Sequence, residues 1–166
     1  MYCELKTSRL NIRPINLVDS KFMLELVNTK GWLKYIGDRK VHTVTDAEQY
    51  IQRILDNPLY FYHVIEVSNS NEPVGVISFL KRDSQQYYDI GFAMLPKFER
   101  RGIAFEACTA YMHAIQADQA FENLIAICLP NNEPSIALLK KLGFTFQKKF
   151  EQGDEALALY AMKDIV

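Results

Sequence analysis

Leu95-Pro96-Lys97-Phe98-Glu99-Arg100-Arg101-Gly102-Ile103-Ala104-Phe105-Glu106-Ala107 decides how the rest of the chain is read. The run follows an apolar, strand-like segment and opens an amphipathic helix. Gly102 and Ala104 stand two apart at the helix mouth, with Arg100 and Arg101 directly before them. A helix N-terminus exposes about four unpaired backbone N–H groups and roughly half a positive charge. A glycine lets a ligand approach that backbone, and the arginines add formal charge. Together these features fit a pyrophosphate. The bland alternative is a surface turn with a basic edge.

A second motif lies downstream, Asn132-Glu133-Pro134-Ser135-Ile136-Ala137-Leu138-Leu139-Lys140-Lys141-Leu142-Gly143-Phe144. It reads as a capped helix: Asn131 or Asn132 as N-cap, Pro134 in the first turn, Gly143 as terminator. Nothing in capping chemistry requires Asn132 and Ser135 together.

The order of strand, Arg-Arg-Gly-Ile-Ala helix, strand, and Asn-x-x-Ser helix ending in Leu-Gly-Phe resembles the GNAT family of acetyl-CoA-dependent N-acetyltransferases. Within it, the chain is most similar to the branch of bacterial ribosomal-protein N-terminal acetyltransferases. Leu5 to Pro14 fits that branch's first strand, and the resemblance covers essentially the whole chain.

The bulk numbers agree with one globular unit over residues 1–166. The 166 residues suffice for a core, and 49% are hydrophobic and 12% aromatic, a composition that excludes disorder. A net charge of −1 argues against nucleic acid as the main ligand. No apolar run reaches the roughly 20 residues of a membrane span, and the N-terminus carries no secretory pattern. The expectation is a soluble, cytoplasmic protein, monomer or homodimer. Cys3, Cys108 and Cys128 are widely spaced and fit reduced thiols, the last two in apolar runs.

Helices are expected from about Asp19 to Asn28, from Thr45 to Leu55, from Gly102 to Ala117, and after Asn132. Gly31–Gly37 forms a short aromatic element. Strands are expected around Leu10–Ile15, Tyr60–Val67, Pro73–Leu80, Tyr87–Leu95, Asn123–Leu129, Phe144–Phe150 and Ala156–Met162. Gly75 marks a bulge or a close approach. The mixed order predicts an α/β fold, a twisted mixed sheet of about six to seven strands with helices on both faces. The resemblance implies the same fold.

The resemblance also implies a division of labour. Backbone N–H groups from Arg100, Arg101, Gly102, Ile103 and Ala104 hold the cofactor's pyrophosphate. Met94 and Leu95 supply main-chain N–H to the pantetheine arm and the thioester carbonyl, and a preorganised donor there is a large term in acyl transfer. Asn132 holds the arm or the carbonyl, and Ser135 protonates the leaving thiolate. Three positions depart from the family. Glu99 stands where Arg or Gln is usual, Arg100 where Gly is frequent, and Leu139 where many members carry a Tyr acid.

The base stays open among Asp89, Glu66 and His63. A lysine-type amine costs about 4.6 kcal/mol to neutralise at pH 7, an α-amine only about 1 kcal/mol. Asp89 shares a strand face with Gly91 and Ala93. His63 and Glu66 lie on opposite faces of their strand. The acceptor, a peptide N-terminal or small-molecule amine, is expected to meet Gly31–Arg39, the helix after it and the Phe150–Glu155 hairpin. Trp32, Tyr35, Tyr60, Tyr62, Tyr87 and Tyr88 are candidate lining; a Tyr cluster at strand spacing is more often core, so one or two of them are expected to reach the cleft. The alternative to an enzyme is a non-catalytic acyl-CoA sensor or interaction module, kept alive by Glu99 and Leu139.

Overall fold

The computed structural model describes residues 2–117, 121 and 123–163. Eight strands form one open sheet in the order β1-β2-β3-β4-β5-β6-β8-β7. They are β1 (Leu5–Lys6), β2 (Leu10–Pro14), β3 (Tyr60–Val67), β4 (Glu72–Lys81), β5 (Tyr88–Met94), β6 (Leu124–Cys128), β7 (Thr145–Gln152) and β8 (Glu155–Ala161). The strand beyond the expected seven is the two-residue β1, too short to leave a period-two signal. Every neighbouring pair is antiparallel except β5 and β6.

Alternation along the strands sorts side chains onto two faces. Ile65, Ile77, Phe79 and Ile90 pack with Tyr111, Met112 and Ile115 of α4 (Ile103–Gln116). Leu139 of α5 (Glu133–Lys141) joins that cluster. Val64, Val76 and Ala93 pack on the other face, against α1 (Ser20–Val27), α2 (Lys30–Tyr35) and α3 (Val44–Leu55). Helices therefore cover both faces, and the core is split in two by the sheet.

Local chemistry places the helices within a residue or two of expectation, and two of the starts differ in detail. The short aromatic element is α2, capped by Thr29, whose hydroxyl accepts from the Trp32 N–H; Gly31 lies inside its first turn rather than bounding it. α3 starts earlier than Thr45 implied. Thr43 accepts from the Asp46 N–H, and Asp46 accepts from the Thr43 N–H, a complete capping box. At Gly75 both readings apply. The β3–β4 register slips beside Ile65 and Glu66, and a side chain at 75 would collide with Met94 Sδ and with the Ala93 carbonyl at 2.6 Å.

Candidate active site

The site is made by a fork in the sheet. β5 and β6 pair only at Tyr88↔Leu124 and Asp89↔Ile125, although β5 runs on to Met94 and β6 to Cys128. Asp89 sits at the vertex. Its Oδ1 accepts from the Ile127 N–H at 3.2 Å, doing what a strand carbonyl would do in a closed ladder. Its Oδ2 meets Arg82 Nε at 2.6 Å. Burial raises its carboxyl pKa, and the Arg82 pair opposes that rise. Both oxygens of Asp89 are thus engaged across the fork.

Past the vertex, the β5 edge lies open. Leu95 N–H donates to the Val74 carbonyl at 2.9 Å, so it points to β4. By alternation, Ala93 and Gly91 point the same way, and the N–H groups of Met94 and Phe92 face the fork. The expectation for Leu95 is corrected accordingly: its donor is used, and its side chain is buried against α1–α3. Met94 keeps its place, and Phe92 joins it. Phe92 was missed because only the register tells which N–H groups are spare.

The α4 N-terminus closes one side of the opening. Gly102 is its N-cap, with φ +74° and no side-chain cap. The first helical bond runs from the Glu106 N–H to the Gly102 carbonyl, which leaves Ile103, Ala104 and Phe105 N–H without a helical partner. Arg100 also takes positive φ, 58°. A left-handed position favours glycine, which gives a physical reason for Gly being frequent there in the family.

Arg100, Gly102, Ile103 and Ala104 all line the cleft. The Arg101 side chain does not; the expectation for this residue concerned its backbone N–H. Its guanidinium lies over Phe98, 5.6 Å from the ring centre. Arg9 is at the helix mouth instead, with Nε 2.7 Å from Glu106 Oε2 and Nη1 3.3 Å from the Arg101 carbonyl. It is remote in sequence, so the motif carried no sign of it. Glu99 directs its carboxylate toward Gly31 of α2.

α5 borders the cleft beside α4. Asn132 is its N-cap, its Oδ1 accepting from the Ser135 N–H at 3.3 Å. That answers the capping question: Asn132 caps, and the half-buried Ser135 hydroxyl, with no hydrogen bond among the described residues, borders the cleft. Leu139 is fully buried in the core.

The other two candidate bases lie elsewhere. Glu66 is held by Arg13 at 2.6 Å, beyond the cleft and toward β1. His63 is fully buried on the α4 face, where its Nε2 accepts from the Cys3 N–H at 3.2 Å. Burial pushes its pKa down to about 4, so it is neutral at pH 7. Of the aromatic candidates, Trp32, Tyr35, Tyr60 and Tyr62 line the cleft. Tyr88 stacks on Phe79 at 4.5 Å on the α4 face, and Tyr87 packs against Ile125 and Leu159.

The cradle suits the cofactor that the fold implies: free N–H groups at the helix mouth, Arg9 and Arg100 beside them, and a strand edge with spare donors. Residues 9–145 match the family described as Acetyltransferase (GNAT) domain. An uncharacterized N-acetyltransferase, YnaD, of Bacillus subtilis is 28% identical over 156 residues, 92% of this chain and 91% of that protein. A ribosomal protein uS5-alanine N-acetyltransferase of Escherichia coli is 31% identical over 86 residues, 51% of this chain and 44% of that one. Among solved structures, a GNAT-family acetyltransferase from Bacillus anthracis superposes with a TM-score of 0.80 at 26% identity, covering 96% of this chain and 97% of that one. RimL, a ribosomal L7/L12 alpha-N-protein acetyltransferase in complex with coenzyme A, superposes at 0.83 with 18% identity, covering 96% and 97%. No described helix is long and apolar enough to cross a membrane. With its fork, its uncapped helix mouth and a family match over most of its length, the chain belongs to the GNAT acetyltransferases, whose acetyl donor is acetyl-CoA.

Proposed function

We propose that the cleft brings acetyl-CoA and a primary amine together through the fork and lets the amine attack directly, with no acetylated side chain on the way. Acetyl-CoA supplies an activated acetyl group on a good leaving thiol. The observation that carries this reading is the separation of β5 from β6 after Asp89 and Ile125, which joins the α4–α5 side of the sheet to the α1–α3 side. Ile103, Ala104 and Phe105 N–H, with Arg100 and Arg9, hold phosphate on the first side. Phe92 and Met94 N–H point where an extended arm and its carbonyl would lie, and fixed donors of that kind favour developing negative charge. The Ser135 hydroxyl donates toward the departing sulfur. On the second side, the amine meets Tyr62, Ser78 and Gly91, which lie in one register row.

Asp89 has the role of a positioning residue here. A carboxylate that accepts from Ile127 N–H and from Arg82 is poorly placed to take a proton. An α-amine needs only about 1 kcal/mol to become neutral at pH 7, so water in the cleft suffices. Asp89→Asn keeps an oxygen for Ile127 and replaces the Arg82 ion pair with an amide donor facing the guanidinium. Its kcat is expected to fall by less than about tenfold with an unchanged pH profile, whereas loss of a general base costs about 100- to 10,000-fold. A fall of that larger size, with loss of the acidic limb of the profile, would overturn the positioning role.

The test of transfer itself has two arms. Acetyl-CoA is titrated in a thermal melt, and thiol release is followed over a panel of peptide and small-molecule amines, with Ser135→Ala alongside. The expected result is a cofactor-dependent rise in Tm, amine-dependent thiol release, and a kcat reduced in the variant while the rise in Tm is kept. Thiol release independent of amine would sink the reading.

A further inference from the structure

The α1–α3 side of the cleft has a wall that the acetyl donor does not need. Tyr62 of β3 interacts there with the Tyr50 hydroxyl of α3 and feels the charges of Arg39 and Arg82. Arg53, one turn along α3, stands over the Tyr50 ring at 5.9 Å from its centre. All five side chains line the same opening. Burial and the neighbouring Tyr50 push the Tyr62 phenol pKa up, so it stays a neutral O–H donor.

The arginines are not equivalent. Arg82 is neutralised by Asp89. Arg39 and Arg53 form no hydrogen bond or ion pair among the described residues, and both are exposed to the cleft. Three further carboxylates line the opening, Glu99 turned toward Gly31, Glu133 in the first turn of α5 and Glu155 at the start of β8. None of them is among the groups that act on Tyr62. A chain of net charge −1 thus concentrates unpaired guanidinium beside two phenols on one wall of its cleft. Such a wall attracts anions and repels polycations. It also favours the neutral form of an amine placed beside it, since a like charge disfavours protonation.

We propose that the acceptor is an amine that also carries a carboxylate or a phosphate, held by Arg39 and Arg53 against the Tyr50 and Tyr62 hydroxyls while the amine faces the fork. This rests on the amine-transfer reading above. It assigns the α2–α3 loop residue Arg39 and the α3 residue Arg53 to acceptor choice. They lie on the face opposite the α4 N-terminus, which leaves cofactor phosphates to Arg9 and Arg100.

The test uses matched acceptors in the thiol-release assay. Tetrapeptide amides with Asp and Glu at positions two and three are compared with their Asn/Gln and Lys/Lys counterparts, and phosphoethanolamine with ethanolamine. The peptide and ethanolamine pairs separate a carboxylate from a phosphate as the group recognised. At least one anionic acceptor is expected to exceed its neutral partner about tenfold in kcat/KM, the size of one charge-assisted hydrogen bond. Arg39→Gln and Arg53→Gln are expected to collapse that ratio through KM, and Arg39→Lys to restore part of it. Raised salt is expected to shrink it.

Equal or better use of neutral or basic acceptors would overturn the proposal. So would a ratio that survives both variants, or a loss of acetyl-CoA binding in them. If acetyl-CoA still raises the Tm but no amine releases thiol, the transfer reading fails, and the acceptor assignment falls with it.

Discussion

Helices α3 and α4 lie on opposite faces of the same sheet and begin in opposite ways. α3 opens on Thr43 and Asp46, which satisfy each other's backbone N–H groups in a closed box. α4 opens on Gly102 with no side chain on its first N–H groups, and two arginines, Arg9 and Arg100, stand by. A helix whose only task is packing gains about 1 kcal/mol from a cap. A helix that receives an anion must leave those donors free, and a capping side chain would compete with the ligand. On the proposed reading, the uncapped end is a cost to the apoprotein and an asset to the complex.

Gly102→Asp gives α4 the kind of beginning that α3 has. Asp tolerates positive φ better than most residues and supplies its own carboxylate to the N–H groups. The fold is expected to persist by far-UV circular dichroism. Wild type at acetyl-CoA about 100 times its Kd gains about 2.7 kcal/mol, a Tm rise on the order of 5–10 °C. In the variant that rise is expected to vanish, and a rise of wild-type size would refute the free-donor account.

Thr43→Ala makes the reverse change at α3. It is expected to cost about 1 kcal/mol, or about 3 °C in Tm. The increment from acetyl-CoA should be undiminished; a reduced increment would mean that the two helix starts are coupled through the sheet.

Arg9→Gln probes the charge at the α4 mouth with the backbone intact. The side chain is half exposed, so solvent screens it. Acetyl-CoA Kd is expected to rise about threefold, measured by calorimetry at low salt, with Arg101→Gln changing it less. A larger effect at Arg101 would bring its side chain, and not only its backbone, to the site.

Most of the architecture was legible along the chain because its signals are local. Capping residues, Gly102, Pro134 and the alternation of the long strands each act within a few positions, and the whole fork region is named by its two motifs. The errors share a cause. Leu95 and Met94 are adjacent and equally apolar; which one has a spare N–H depends on pairing with Val74, a residue 21 positions earlier. Glu66 and Asp89 are both strand acids, and only the sheet shows one beside Arg13 and the other astride the fork.

The sequence by itself determined most helix starts, the longer strands, the glycine turn before α4 and the family resemblance, because each follows from backbone chemistry and side-chain periodicity at short range. Tertiary structure alone decided which N–H groups stay unpaired, that Asp89 is committed to Arg82 and Ile127, and that Arg39 and Arg53 line the same opening as Tyr50 and Tyr62. Hydrogen-bond occupancy and charge pairing are properties of partners, and here the partners meet only when distant strands and helices close around the fork.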